Sequence, residues 1–130
     1  MKIAVGSDHA AFALKNYLLE HLRQKSGIEG VDMGVDTDAV SCDYPDVAFR
    51  VGEAVVSRKA DGGLLLCGTG VGMSIAANKI PGIYAAHCHE VETARFSRRH
   101  NNANVLTMGA RIISQELARD ILDVWLETDF

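Results

Sequence analysis

The sequence predicts an α/β fold: a five-stranded parallel sheet with helices on both faces. Two observations carry that expectation. Short apolar runs alternate with amphipathic stretches five times along 130 residues, and repeated strand–helix units join parallel strands by right-handed crossovers. The segment GGLLLC (62–67) contains no polar residue, as a strand covered on both faces requires.

The elements follow in order. KIAVG (2–6) is a short strand closed by a glycine,. Ala11, Leu14, Leu18 and Leu22 then recur on one helical face, with Lys15, Glu20 and Arg23 elsewhere, and Ser26-Gly27 stops that helix,. Residues 28–33 form a second strand interrupted by Gly30, and 34–44, with three aspartates and no periodicity, form a loop. Pro45 suits the first turn of a second helix, in which Val47, Val51, Ala54 and Val55 share a face,. After the strand at 62–67 come a glycine loop and a small-residue helix over 74–79. A strand near 83–86, a helix near 90–98 and a strand near 104–108 follow. Leu117, Ile121, Leu122 and Trp125 mark a last helix.

Composition bounds the function. With 48% hydrophobic residues and a net charge of −4, the chain is expected to form one domain over residues 1–130, and disorder is excluded. Cys42, Cys67 and Cys88 are odd in number and lack CxxC spacing, which fits neither a disulfide framework nor a zinc ribbon,. MKIAVGSDHA holds no apolar run of signal-peptide length, and no later run approaches a membrane span,. A reduced, cytoplasmic protein without a membrane partner is the expectation. Mild acidity argues against nucleic acid as the main partner.

Parallel sheets of this kind bind ligands beyond the carboxyl ends of their strands, and the residues there carry chemistry. Asp8 and His9 follow the first strand. Asp8 suits a helix cap and equally a catalytic or hydroxyl-binding role,. CGTGVGMS (67–74) follows the third. Its alternating glycines let the backbone approach a ligand, and the amides opening the next helix favour an anion. The spacing matches neither a phosphate-binding Walker loop nor a dinucleotide fingerprint. Cys67, beside that helix start, is a candidate base or nucleophile. Proton abstraction next to a carbonyl needs such a base, together with N–H donors for the enediolate oxygen. His87-Cys88-His89 suggests a metal cluster, yet in a strand Cys88 points away from both histidines, so no metal is expected. Cys42 sits in a polar loop without an evident role. Asn101 and Asn102 suit a helix stop, and His100 is expected on the pocket side, beside the fifth strand, where it could transfer a proton. Arg111, after that strand, could meet a phosphate.

These residues resemble the type B ribose-5-phosphate isomerase family, which includes galactose-6-phosphate and allose-6-phosphate isomerases. The matching segments are GSDHAAFALK (6–15), DYPD (43–46), DGGLLLCGTGVGMSIAANKIPGI (61–83), SRRHNNANVLTMGAR (97–111) and LARDILDVWL (117–126), which span nearly the whole chain. The resemblance implies a Rossmann-like three-layer α/β/α sandwich. It also implies an aldose–ketose isomerisation through an enediol(ate), with no metal or organic cofactor. Cys67 would move the proton between C1 and C2. Some members use a glutamate in the glycine loop instead, but Val71 and its neighbours here include no acid. His100 would help open the sugar ring. Asp8 and His9 would contact ring oxygens and hydroxyls, with Tyr44 beside the substrate. Gly68, Thr69, Gly70, Val71, Gly72 and Ser74 would hold the reacting oxygens, Asn101 a hydroxyl and Arg111 the phosphate. Family members are dimers, often dimers of dimers, whose active sites draw on two subunits.

One departure stands out. The family continues past its last helix into a GGRHxxR-type tail whose arginines hold the phosphate, whereas this sequence stops at Phe130. A trimmed tail is the expectation, with Arg111 and the Arg98-Arg99 pair as local candidates for the phosphate. Three functions follow from these residues: isomerisation of ribose 5-phosphate and ribulose 5-phosphate, the same reaction on a four- or six-carbon sugar phosphate, or a non-catalytic sugar-phosphate-binding subunit.

Overall fold

The apolar run at 62–67 is the central strand, and every one of its residues is buried. The computed structural model of the chain describes residues 1–36 and 44–130, Tyr44 through its backbone alone. Strands β1 (Lys2–Ser7), β2 (Glu29–Asp32), β3 (Gly62–Cys67), β4 (Ala85–His87) and β5 (Val105–Gly109) alternate with helices α1 (Phe12–Arg23), α2 (Tyr44–Val56), α3 (Val71–Asn78), α4 (Val91–Arg99) and α5 (Gln115–Glu127). The strands run in the order β2-β1-β3-β5-β4, and every pairing is parallel. The chain therefore winds outward from β1 to β2 and then crosses to β3, which places the topological switch between β1 and β3.

Alternation along the strands sorts two cores. Ile3, Val5, Leu64, Leu66, Leu106 and Met108 pack with Leu14 and Leu18 of α1 and with Ile121 and Trp125 of α5. Ala4, Leu65, Cys67 and Val105 face the other way, onto Val47 and Val51 of α2 and Met73 and Ala77 of α3. Helix α2 approaches the sheet closely because glycines lie beneath it. A Cβ on Gly6 would meet Val47 at 2.5 Å, and one on Gly63 would meet Val51 at 2.7 Å. Gly6 thus lies within β1 rather than closing it.

Two boundaries differ from the pattern reading for local reasons. Helix α3 starts at Val71, not Ser74, because Gly70 turns into it with φ of +83°. Strand β4 starts late, at Ala85. The Ile83 amide donates to the Ile80 carbonyl and the Tyr84 amide to Asn104 Oδ1, at 3.0 and 2.8 Å, so both are withdrawn from the ladder. Among the described residues no helix is long and apolar enough to cross a membrane.

Lys15 is a larger correction, since it lies off the apolar stripe in sequence yet is fully buried. Its ammonium donates to Asp32 Oδ1 at 2.9 Å and to the Val35 carbonyl, and Asp32 Oδ1 also accepts the Gly34 amide at 2.9 Å. Gly34 and Val35 in turn exchange backbone hydrogen bonds with Ser7, at the end of β1. Lys15 therefore ties the exit of β2 to the strand end that carries Asp8. Lys15→Met keeps the volume but strands the Val35 carbonyl, so it should destabilise the fold by about 2 kcal/mol. Urea unfolding at neutral pH measures that loss, and an unchanged midpoint would show that the tie contributes nothing.

Candidate active site

Three adjacent strands end at one level. Ser7 pairs with Leu66 and Cys67 with Gly109, so Asp8, Cys67 and Gly109 sit at neighbouring strand ends, where strands lie about 4.8 Å apart. Backbone bonds lock the exits together. The Asp8 amide donates to the Leu66 carbonyl at 3.1 Å, Ala110 to Cys67 at 2.9 Å and Arg111 to Gly68 at 2.9 Å.

Cys67 lies 5% exposed at the bottom of this junction. Its Sγ accepts the Gly70 amide at 3.0 Å, and Thr69 Oγ1 accepts the Val71 amide at 3.2 Å. Gly70 holds its left-handed turn as the residue before α3. The Gly72 and Met73 amides in the first turn have no partner within the helix, as at any helix start, and they offer N–H donors to an anion. Ser74, half-buried, follows in the next turn. A thiol fixed beside amide donors can move a proton and leave the resulting oxyanion a place to go.

The other predicted residues assemble unevenly. Asp8 Oδ1 accepts the Ala11 amide at 3.1 Å and so caps the short 3-10 turn opened by His9. This is the capping role read from the sequence, and it fixes the carboxyl group beside the strand ends. Arg111 lies exposed over Gly68, where an added Cβ would come within 3.4 Å of its Nη1. Among the described residues no carboxylate pairs with it. Tyr44 opens α2, but its side chain, like all of Cys42, lies outside the described residues.

His100 is not on the pocket side. Helix α4 leaves the carboxyl end of β4 and returns the chain to the amino end of β5, as a parallel crossover must. Val105 pairs with Gly63 while Gly109 pairs with Cys67, so these ends lie about 13 Å apart along the strand. His100 and Asn101 precede Val105 and lie on the far side of that span. The His100 ring is exposed and stacks on Phe96, with centroids 5.0 Å apart. Asn102 supplies the left-handed helix stop, with φ of +52°. Arg98 has other partners. Its guanidinium donates to the Thr128 and Ala103 carbonyls and lies over Trp125.

The profile of the ribose/galactose isomerase family matches residues 3–130. The chain belongs to that family. It is similar to ribose-5-phosphate isomerase B of Escherichia coli (strain K12), with 46% identity over 99% of this chain and 85% of that protein. It is likewise similar to D-erythrulose-4-phosphate isomerase of Pectobacterium atrosepticum, with 45% identity over 100% of this chain and 85% of that one. Among solved structures, Clostridium thermocellum ribose-5-phosphate isomerase B superimposes with a TM-score of 0.97 at 48% identity, covering 100% of this chain and 86% of that one.

In this ribose/galactose isomerase chain, three residues at the site escaped the sequence reading of function. Gly109 is required because a Cβ there would strike the Thr69 carbonyl at 2.4 Å. His89 Nε2 accepts the Gly109 amide at 3.2 Å, and His87 Nδ1 lies 3.1 Å from Thr107 Oγ1. The two rings share one side, 4.4 Å apart, while Cys88 turns into the α1/α5 core. Among the described residues no group of three metal-ligating side chains converges. Burial pushes the Cys88 thiol above its ordinary range, with Thr93 and Ser97 pulling against it. The outer edge of His87 is open to solvent, but burial of its inner edge, and then His89, hold its pKa below the ordinary 6.5. The HCH run was the available signal: strand alternation argued against a metal cluster there but gave the two histidines no other role.

Proposed function

We propose that this isomerase interconverts ribose 5-phosphate and ribulose 5-phosphate. The observation that carries the reading is the Cys67 thiol, level with Asp8 and held by the Gly70 amide under an open helix start. Cys67, as thiolate, takes the proton from C2 of the open-chain aldose, and the negative charge moves to O1 of an enediolate. The Thr69 hydroxyl, the Gly72 amide and Ser74 stabilise that oxygen, with Gly70 and Val71 shaping the loop around it,. Protonation at C1 by the Cys67 thiol, with O2 losing its proton as O1 gains one, completes the ketose. Carbonyl and hydroxyl trade places within one molecule, so no redox partner enters. Asp8 and His9 bind hydroxyls, Tyr44 lies beside the sugar, Gly68 lets Arg111 approach, and Arg111 binds the phosphate.

His100 and Asn101 act in the site of a second copy of the chain, His100 promoting ring opening. Supporting this are their distance from Cys67 within one chain and an apolar surface flanking the loop. Val71 and Ile75 of α3 are 49% and 56% exposed, and Phe49 of α2 is 49% exposed. Phe49 also lines a groove of about 530 Å³ with Met33 and Ile80. Such a surface suits a self-association interface. The same reading makes the chain one catalytic domain, working in the cytoplasm.

A four-carbon substrate is the second reading, favoured by the 45% identity to the D-erythrulose-4-phosphate isomerase. Proton NMR in D₂O, with four-, five- and six-carbon aldose phosphates, separates the two. The expected result is deuterium entering ribulose 5-phosphate and the highest kcat/KM on the five-carbon sugar. A preference for the four-carbon sugar would replace the substrate, and exchange with none of the three would overturn the activity.

A further inference from the structure

His87 stands at the end of β4, directly opposite Thr107 of β5. Its Nδ1 is held 3.1 Å from Thr107 Oγ1, and its ring lies edge-on to His89, which accepts the Gly109 amide. The same Nδ1–Cε1 edge of the His87 ring also rests against Gly70. A Cβ on Gly70 would fall 2.5 Å from His87 Cε1 and 2.8 Å from Nδ1, with the Met108 carbonyl carbon also at 2.8 Å. Gly70 is therefore wedged between an imidazole and the β5 backbone. It is also the residue whose amide donates to Cys67 Sγ.

From this geometry we infer that His87 is a positioning residue for Cys67. It is the wall that keeps the Gly70 amide aimed at the thiol, and it acts through the loop rather than on the sugar. The chemistry suits the place. A neutral ring can pack at the amino end of α3, whereas a cation there would oppose the helix dipole. Burial and the neighbouring His89 favour the neutral form. The Thr107 hydroxyl sets the ring plane, and His89 lies edge-on to it. Displacing Gly70 by a fraction of an ångström would turn its N–H off Sγ and narrow the space beneath the open amides.

The inference rests on Cys67 being the base, and the test separates the two. His87→Gly removes the wall and should lower kcat roughly ten- to a hundredfold with KM within about twofold, because reacting groups are misaligned while the binding groups stay. His87→Asn, whose side chain can still bond to Thr107, should recover most of the loss. Thr107→Val, which keeps the volume but frees the ring, should lower kcat in the same direction and serves if His87→Gly does not fold. Adding His87→Gly to Cys67→Ala should change the residual rate by no more than about twofold, since the two act as a unit. Wild-type kcat in folded His87→Gly and Thr107→Val, with Cys67→Ala inactive, would overturn the role of His87 alone. Full turnover by Cys67→Ala would instead remove the base assignment, whatever the His87 variants do. A uniform rise in KM at unchanged kcat would make His87 a binding residue and overturn the inference.

Discussion

Cys67→Ala protein should fold, bind ribose 5-phosphate and turn it over roughly a thousandfold more slowly than the wild type, the scale of a lost general base. The size follows from the absence of a substitute. The Asp8 carboxyl group is engaged with the Ala11 amide, and the glycine loop carries no acid. Removing Sγ also strands the Gly70 amide, which costs about 1–3 kcal/mol if that amide stays dry. Cys67→Ser is therefore the sharper variant, because its hydroxyl can still accept from Gly70 but ionises far less readily than a thiol. Both should lose C2 proton exchange while isothermal calorimetry still reports sugar-phosphate binding. Turnover within tenfold of wild type in either variant would remove Cys67 as the base.

His100→Ala should lose roughly a hundredfold in kcat on ribose 5-phosphate, and the loss should be repaired by mixing rather than by any change within the same chain. If His100 serves the Cys67 of a second copy, a heterodimer of Cys67→Ala and His100→Ala subunits contains one site with both lesions and one with neither. Purified through two different affinity tags, that heterodimer should show about half the activity of a wild-type dimer, because the two sites are related by symmetry. Heterodimers as inactive as their parents would place His100 outside the partner's site. Ring opening gives a second check. A four-carbon aldose carrying phosphate on O4 has no hydroxyl placed to close a five- or six-membered ring. Any turnover of that sugar should therefore be much less sensitive to His100→Ala than turnover of ribose 5-phosphate.

The two results bear on each other through the fold. The strand order brings Asp8, Cys67 and Gly109 together from three separate segments. The same parallel crossover carries His100 away from them. A single chain thus holds Cys67 and the open start of α3 together, and it presents His100 elsewhere. The apolar flank of α2 and α3 fits a site completed by a neighbour, which the heterodimer assay tests directly.

Several features were determined by the sequence alone. Hydrophobic periodicity is a local property, so the alternation of five strands and five helices could be read directly, as could the doubly buried 62–67 strand. The glycine loop after Cys67 was equally legible, because alternating glycines leave few local alternatives, and the spaced motifs pointed to the family. Only the tertiary structure decided what depends on contacts between distant segments. Lys15 looked like a surface residue until the exit of β2 was seen to bring Asp32 and Val35 onto it. Strand alternation already argued against a metal cluster in the HCH run, but only β5 supplied Thr107 and the Gly109 amide as the partners of its two histidines. His100 looked close to Cys67 because it is close to β5 in sequence, but it adjoins the amino end of that strand while Cys67 meets the carboxyl end. The physical reason is common to all three. Periodicity and turn chemistry act over a few residues, whereas strand order and register set which ends, faces and hydrogen-bonding groups meet.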